Sequence, residues 1–239
     1  MRLLLISGSL RDGSTNTAAL RTVQAVAPAG VEATVYGGMA SLPHFNPDDD
    51  REGEPVHPAV ADLRAAIAAA DALVISTPEY AGALPGALKN LLEWTVGDAG
   101  TYRKPVAWLN VAGPAAPTAA ADAHASLAKV LGYVGADVVD AACARIPLTR
   151  AHVGPDGLVA DPGVRAALGA ALAALEARAA AGPGDAPAAD GSDRADGAPT
   201  RDADPSGAAP RSPRGSGAGG PGAGRRTSRA ARRGAGRRR

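Results

Sequence analysis

Apolar and polar positions along the chain fall into a repeating order of strand-like and helix-like stretches. Residues 1–6 form a short apolar run that predicts a buried strand, and from residue 18 apolar side chains recur at helical spacing. Residues 31–36 alternate and are rich in β-branched side chains, which predicts a second strand. A helical pattern over 59–70 leads into a third apolar strand at 72–76, and Pro85 suits the first turn of a helix continuing over 86–94. A fourth strand is predicted over 105–111, a helix over about 119–134, and a fifth strand region over 136–146. Asp161-Pro162 is a good helix start, and an Ala/Leu helix runs from 164 to about 180.

Strands alternating with helices five times predict an α/β fold with a parallel sheet covered on both faces. For five strands the flavodoxin-like order 2-1-3-4-5 is the simplest doubly wound choice. In that order the loops after strands 1 and 3 flank the point where the winding reverses, and ligands bind there. The first of these loops is Ser7-Gly8-Ser9-Leu10-Arg11-Asp12-Gly13-Ser14-Thr15-Asn16-Thr17. Glycines allow tight turning, hydroxyls and amides donate hydrogen bonds, and the helix start adds free N–H groups and a positive dipole end. Arg11 adds a charge-assisted fork. This chemistry suits a phosphate, although Ser, Thr and Asn are also ordinary helix caps, so this loop alone leaves both readings open. Gly8 and Gly13 have the spacing of a P-loop, but Ser14 stands where that motif requires lysine, which argues against nucleotide hydrolysis. The loop holds no G-x-G-x-x-G dinucleotide fingerprint.

Composition divides the 239 residues in two. From Gly182 onward the chain is almost entirely Gly, Ala, Pro, Ser, Asp and Arg, with two Thr and no aromatic residue; such a segment buries too little surface to offset its ordering entropy and is expected to be disordered. It carries twelve arginines and six aspartates, +6, against −5 for the preceding 181 residues, so the overall +1 conceals two opposite balances. The expected organisation is one folded domain over 1–181 and a tail over 182–239. Residues 225–239 hold eight arginines and no acid, which would suit polyphosphate, but no aromatic residue is present for stacking on bases. Nucleic acid is therefore not an expected partner, and a translated GC-rich read-through explains the tail as well.

The single cysteine, Cys143, excludes an internal disulfide framework, and its apolar surroundings predict a buried, inert thiol. The opening apolar run is too short for a signal-peptide core, and no apolar span of about 18 residues occurs, so a soluble cytoplasmic protein without membrane contact is expected. His44 and His57 lie among acidic residues in a long loop without the close pairing a metal requires, so no metal site is expected. No nucleophile–base pair stands out, so no catalytic side chain is assigned and a cofactor-driven reaction is favoured.

Three stretches resemble the NADPH-dependent FMN reductases, the family of quinone, azo-dye and chromate reductases. Gly8-Ser9-Leu10-Arg11-x-x-Ser14-x-Asn16 resembles their phosphate loop. Pro78-Glu79-Tyr80-x-Gly82-x-x-Pro85-Gly86-x-Leu88-Lys89-Asn90-x-x-Glu93-Trp94 resembles their second signature, and Leu42-Pro43-x-Phe45-Asn46-x-Asp48 the stretch after their second strand. The resemblance runs from residue 1 to about 180. It implies that Ser9, Arg11, Ser14, Thr15, Asn16 and Thr17 hold the FMN phosphate. It also implies that Pro78, Glu79, Tyr80, Ala81 and Gly82 line the isoalloxazine, largely through backbone groups, while Gly113 meets the ring's other edge. Ala81 stands where the family usually has Asn, and the loop from Gly113 to Pro117 lacks the usual glycine run.

The implied function is an FMN-dependent oxidoreductase that takes hydride from NADPH or NADH. Its small-molecule electron acceptor would be a quinone, azo compound, metal oxyanion or free flavin. The alternative is an FMN-binding electron carrier without NAD(P)H oxidation, disfavoured by the mildly acidic core and scarce aromatics. A homodimer is expected, the rival reading being that the long loop from Gly37 to Pro58 folds over the same apolar surface within one chain. Similar proteins pair through the helix carrying Lys89, Asn90 and Glu93, and Leu84, Leu88, Leu91, Leu92 and Trp94 give that helix more apolar surface than one sheet face needs.

Overall fold

The computed structural model describes residues 1–182. The Gly/Ala/Pro/Arg-rich stretch from residue 183, expected to be disordered, lies outside the described residues.

Strands β1 (Arg2–Ser7), β2 (Glu32–Val35), β3 (Ala72–Ser76) and β4 (Pro105–Asn110) are followed by two short strands, β5 (Asp137–Val138) and β6 (Ala144–Arg145). They form one sheet in the order β2-β1-β3-β4-β5, all parallel, with β6 also pairing β4. This is the expected flavodoxin-like α/β winding. The helices are α1 (Thr15–Val26), α2 (Pro58–Ala69), α3 (Gly86–Glu93), α4 (Ala121–Tyr133) and α5 (Pro162–Ala180). None of the described helices is long and apolar enough to cross a membrane.

Period-two alternation along the central strands feeds two cores. Leu3, Leu5, Val74 and Leu109 face α1 and α5, meeting Leu20, Val23, Leu168 and Leu172. Leu4, Ile6, Leu73 and Ile75 point the other way onto α2, α3 and α4, meeting Leu63, Ile67, Leu88, Leu91 and Leu127. Burial on both faces makes the strands read as apolar runs, as a covered parallel sheet requires. Helix starts follow local chemistry. Ser14 Oγ accepts from Asn16 N at 3.2 Å, His57 Nδ1 accepts from Ala59 N at 3.2 Å ahead of Pro58, and Asp161 Oδ1 accepts from Val164 N at 2.8 Å ahead of Pro162. His57 is thus a helix cap.

Two expectations change. The fifth strand is not continuous: Val106 pairs with Val138 and Leu109 with Ala144, so β4 advances three residues while its partner advances six. The surplus is taken up by a 3-10 turn at Asp140–Ala142, whose Ala142 packs into the α1/α5 core. The apolar excess on α3 is also covered within the chain. Leu88, Leu91, Leu92 and Trp94 are fully buried because the segment after β2 folds across them: Met39, Leu42, Phe45 and Val56 pack into their cluster. Trp94 Nε1 and Asn90 Nδ2 both donate to Pro43 O at 2.9 Å, Phe45 N donates to Asn90 Oδ1 at 2.8 Å, and the Phe45 and Trp94 rings meet edge-on at 5.0 Å. This helix therefore offers no uncovered apolar face to a second subunit.

Candidate functional site

The first loop sits where the sheet reverses, and its backbone approaches β3 closely. Gly8 N donates to Ser76 O at 2.8 Å, and a Cβ on Gly8 would lie 2.3 Å from Thr77 Oγ1, so only glycine fits. The loop shapes itself through its own hydroxyls. Ser7 Oγ meets Thr17 Oγ1 at 2.8 Å, and Ser9 Oγ accepts from Arg11 N at 3.3 Å. Beside it lies a cleft of about 330 Å³ whose lining includes Ser9, Arg11, Ser14 and Thr17, four of the predicted phosphate residues. Two of the other predicted residues behave differently. The Asn16 side chain turns inward, its Oδ1 accepting from Ser76 Oγ at 2.9 Å and so tying α1 to β3; Thr15 begins the helix, half-buried.

The second loop places Pro78 and Glu79 in a neighbouring hollow of about 240 Å³, walled by Thr77, Ala112, Ala116, Pro117, Thr118 and Ala120 from the ends of β3 and β4. Tyr80 to Ala83 form a tight antiparallel turn, with N–H to carbonyl bonds of 3.0 and 3.2 Å in each direction. Its two central residues, Ala81 and Gly82, have φ of +52° and +72°. Such a turn requires left-handed backbone at both positions, which Asn or Gly adopts readily and Ala does not. Ala81, the residue departing from the family motif, is thus strained by the backbone rather than simply lacking a side-chain contact. Tyr80 is half exposed on this turn. Gly113 is turned toward the segment after β6, where a Cβ would lie 3.0 Å from Leu148 O.

Glu79 binds the second loop to the segment that leads from β4 into α4. Its Oε1 accepts from Thr118 Oγ1 at 2.7 Å and its Oε2 from Ala123 N at 3.2 Å, in the first turn of α4. The α4 start has no cap of its own: Ala120 is the N-cap residue, with φ of +58° after Ala119 at +49°, and has no side-chain acceptor. The carboxylate supplies that cap from another loop, and the Thr118 hydroxyl, with the Ala123 and Asp122 N–H groups, holds it below the usual glutamate range. Behind it His124 is buried, its Nδ1 2.8 Å from Ala120 O and its ring against Trp108 at 4.7 Å; burial pushes its pKa down. Cys143 is partly buried, accepts from Trp108 N at 3.5 Å, and burial raises its pKa, so it is a packed thiol.

Sequence reasoning missed a third contributor. The segment after β6 returns over α1: Val159 N donates to Thr22 Oγ1 at 2.9 Å, and Val153 and Gly157 line the first cleft together with Arg21. From the same segment Arg150 Nη2 donates to Gly13 O at 3.1 Å and Asp12 O at 3.4 Å. The local signal was a Thr149-x-x-His152 capping box that sets a turn but says nothing of where it docks.

Residues 1–147 match the model of the family described as NADPH-dependent FMN reductase. An NAD(P)H-dependent FMN reductase of Pseudomonas aeruginosa is 42% identical over 94 residues, 39% of this chain and 49% of that protein. An NADPH azoreductase of Bacillus sp. is 35% identical over 134 residues, 54% of this chain and 70% of that one. The chain spans about half the length of curated relatives such as the Pseudomonas protein. Among solved structures, FerB, a flavoenzyme NAD(P)H:(acceptor) oxidoreductase from Paracoccus denitrificans, superposes with a TM-score of 0.58 at 26% identity, over 74% of this chain and 97% of FerB. With the doubly wound sheet and both signature loops at its reversal point, this chain belongs to the NADPH-dependent FMN reductase family.

Proposed function

We propose that the protein is an FMN-dependent oxidoreductase that oxidises NAD(P)H and reduces a small acceptor, a quinone or azo compound foremost. The observation that carries this reading is the pairing of a hydroxyl- and arginine-lined cleft after β1 with an apolar-walled hollow after β3 and β4. The donor set fits FMN: hydroxyls of Ser9, Ser14 and Thr17, the Arg11 guanidinium and the start of α1 suit a phosphate monoester. Bound FMN supplies the ring chemistry of hydride uptake and electron delivery.

The chain's own residues bind and shield. Pro78, Ala112, Ala116 and Pro117 give the second hollow apolar walls. Glu79 is the titratable residue lining that hollow, and its hydrogen bonds to Thr118 and the α4 start keep it an acceptor. It is therefore a structural clamp, and protons required by the acceptor come from solvent.

The same proposal includes a homodimer and a cytoplasmic location. Support for the dimer comes from the family resemblance and from Leu10 and Tyr80, 56% and 50% exposed, one on each loop of the site. Light scattering of the full chain at micromolar concentration tests it, and a monomer refutes it. The cytoplasmic placement is supported by the lone, unpaired Cys143.

The function is tested by anaerobic titration of the purified protein with NADPH and NADH. One FMN per chain should be retained, its visible absorbance should be lost on titration, and a quinone should restore it. Absence of flavin after reconstitution, or flavin that neither nucleotide reduces, overturns the proposal.

A further inference from the structure

We infer that Arg150 is a positioning residue of the phosphate site, shaping the Asp12–Gly13–Ser14 turn so that it receives a phosphate monoester; this rests on the FMN reading above. The guanidinium reaches the carbonyl oxygens of both Asp12 and Gly13 from a segment 137 residues downstream. It lies so close that a Cβ on Gly13, whose φ is +63°, would come within 2.5 Å of Nη2. In a trans peptide the carbonyl and the next N–H point in opposite directions. Drawing the Asp12 and Gly13 carbonyls toward Arg150 therefore turns the N–H groups of Gly13 and Ser14 away from it. Neither N–H makes a hydrogen bond among the described residues, which leaves both for an anion. The same contact keeps two carbonyl dipoles from opposing the phosphate.

Arg150 is held where this requires it. Thr149 N donates to His152 Nδ1 at 3.2 Å in the capping box, and Leu148 N donates to Val111 O at 3.2 Å. Downstream, Gly157 packs against Arg21, the Nη1 atom lying 3.4 Å from its Cβ position, and the Val159–Thr22 bond is buried. With Arg11 and Arg21 on the cleft wall, Arg150 adds a third guanidinium beside a loop whose one acidic residue is Asp12.

Riboflavin, which lacks the phosphate, separates this role from general support of the fold. Dissociation constants for FMN and riboflavin are measured by flavin fluorescence on the full-length wild type, R150M and R150K, with melting curves for each. R150M should weaken FMN about tenfold or more and leave riboflavin essentially unchanged, and R150K, which keeps reach and charge, should restore most of the loss. If R150M does not fold, R150Q, which lacks the reach, takes its place. Equal weakening of both flavins, or unaltered FMN affinity in a folded variant, overturns the role of Arg150 while the FMN reading stands. A wild type that binds FMN no better than riboflavin overturns both.

Discussion

Glu79 and Thr118 join the two loops on either side of the second hollow through a 2.7 Å hydrogen bond, although they lie 39 residues apart. The contact couples the segment after β3 to the start of α4, where Ala119 and Ala120 both hold left-handed backbone and neither supplies a cap. Strained alanines persist at a helix start when the surroundings over-determine them, and the carboxylate on the Ala123 N–H does so here.

That clamp has a pH signature. The Glu79 pKa is lowered, first by the Thr118 hydroxyl. A carboxylate with a depressed folded-state pKa contributes stability that is complete above its unfolded value and is lost as pH falls through the lowered one. The melting temperature of E79Q should lie below that of wild type at neutral pH, and the gap should close on acidification past the ordinary glutamate range. A gap that is constant with pH contradicts the assignment.

Ala81 is a site where one substitution should stabilise. An L-residue other than Gly, Asn or Asp in the left-handed region costs about 1 kcal/mol. A81G should recover about that amount, raising Tm by about 2–4 °C for a domain of this size. A81N should move in the same direction. Thermal melts of the two variants decide the matter, and a lowered Tm in both would mean that the turn is not strained as its φ of +52° indicates.

Arg11 is exposed on the cleft wall and is expected to meet the phosphate directly. R11A should weaken FMN by about ten- to a hundredfold, the worth of a charged hydrogen bond, with an unchanged denaturation midpoint in the absence of flavin. Fluorescence titration measures the first quantity and urea unfolding the second.

Asn90 holds the covering segment over α3 through both ends of its amide, donating to Pro43 O and accepting from Phe45 N. N90A leaves the Phe45 N–H without its partner and removes one of the two donors to Pro43 O in a part-buried setting, and should destabilise by about 1–3 kcal/mol. The urea midpoint should fall accordingly, while Trp94, whose indole keeps its own bond to Pro43 O, remains buried and blue-shifted in fluorescence. A red-shifted native spectrum would show that the segment had lifted away.

Much of this molecule was written in its local pattern. Alternating strands and helices determined a doubly wound sheet, and the Gly/Ser/Asn loop after the first strand and the Pro-Glu-Tyr loop after the third marked a candidate site at its reversal point. Each of those features is a property of a short window: period, cap, turn chemistry. What the tertiary structure decided are the partners supplied by distant segments. Asn16 serves β3 through Ser76, the apolar surplus of α3 is covered by the segment around Pro43 and Phe45, and Arg150 reaches back to Gly13. The fifth strand breaks at Asp140–Ala142 because β4 sets the register on both sides of the interruption. Periodicity reports that a side chain will be buried, whereas what buries it depends on where the chain returns, and only the packed sheet and helices settle that path.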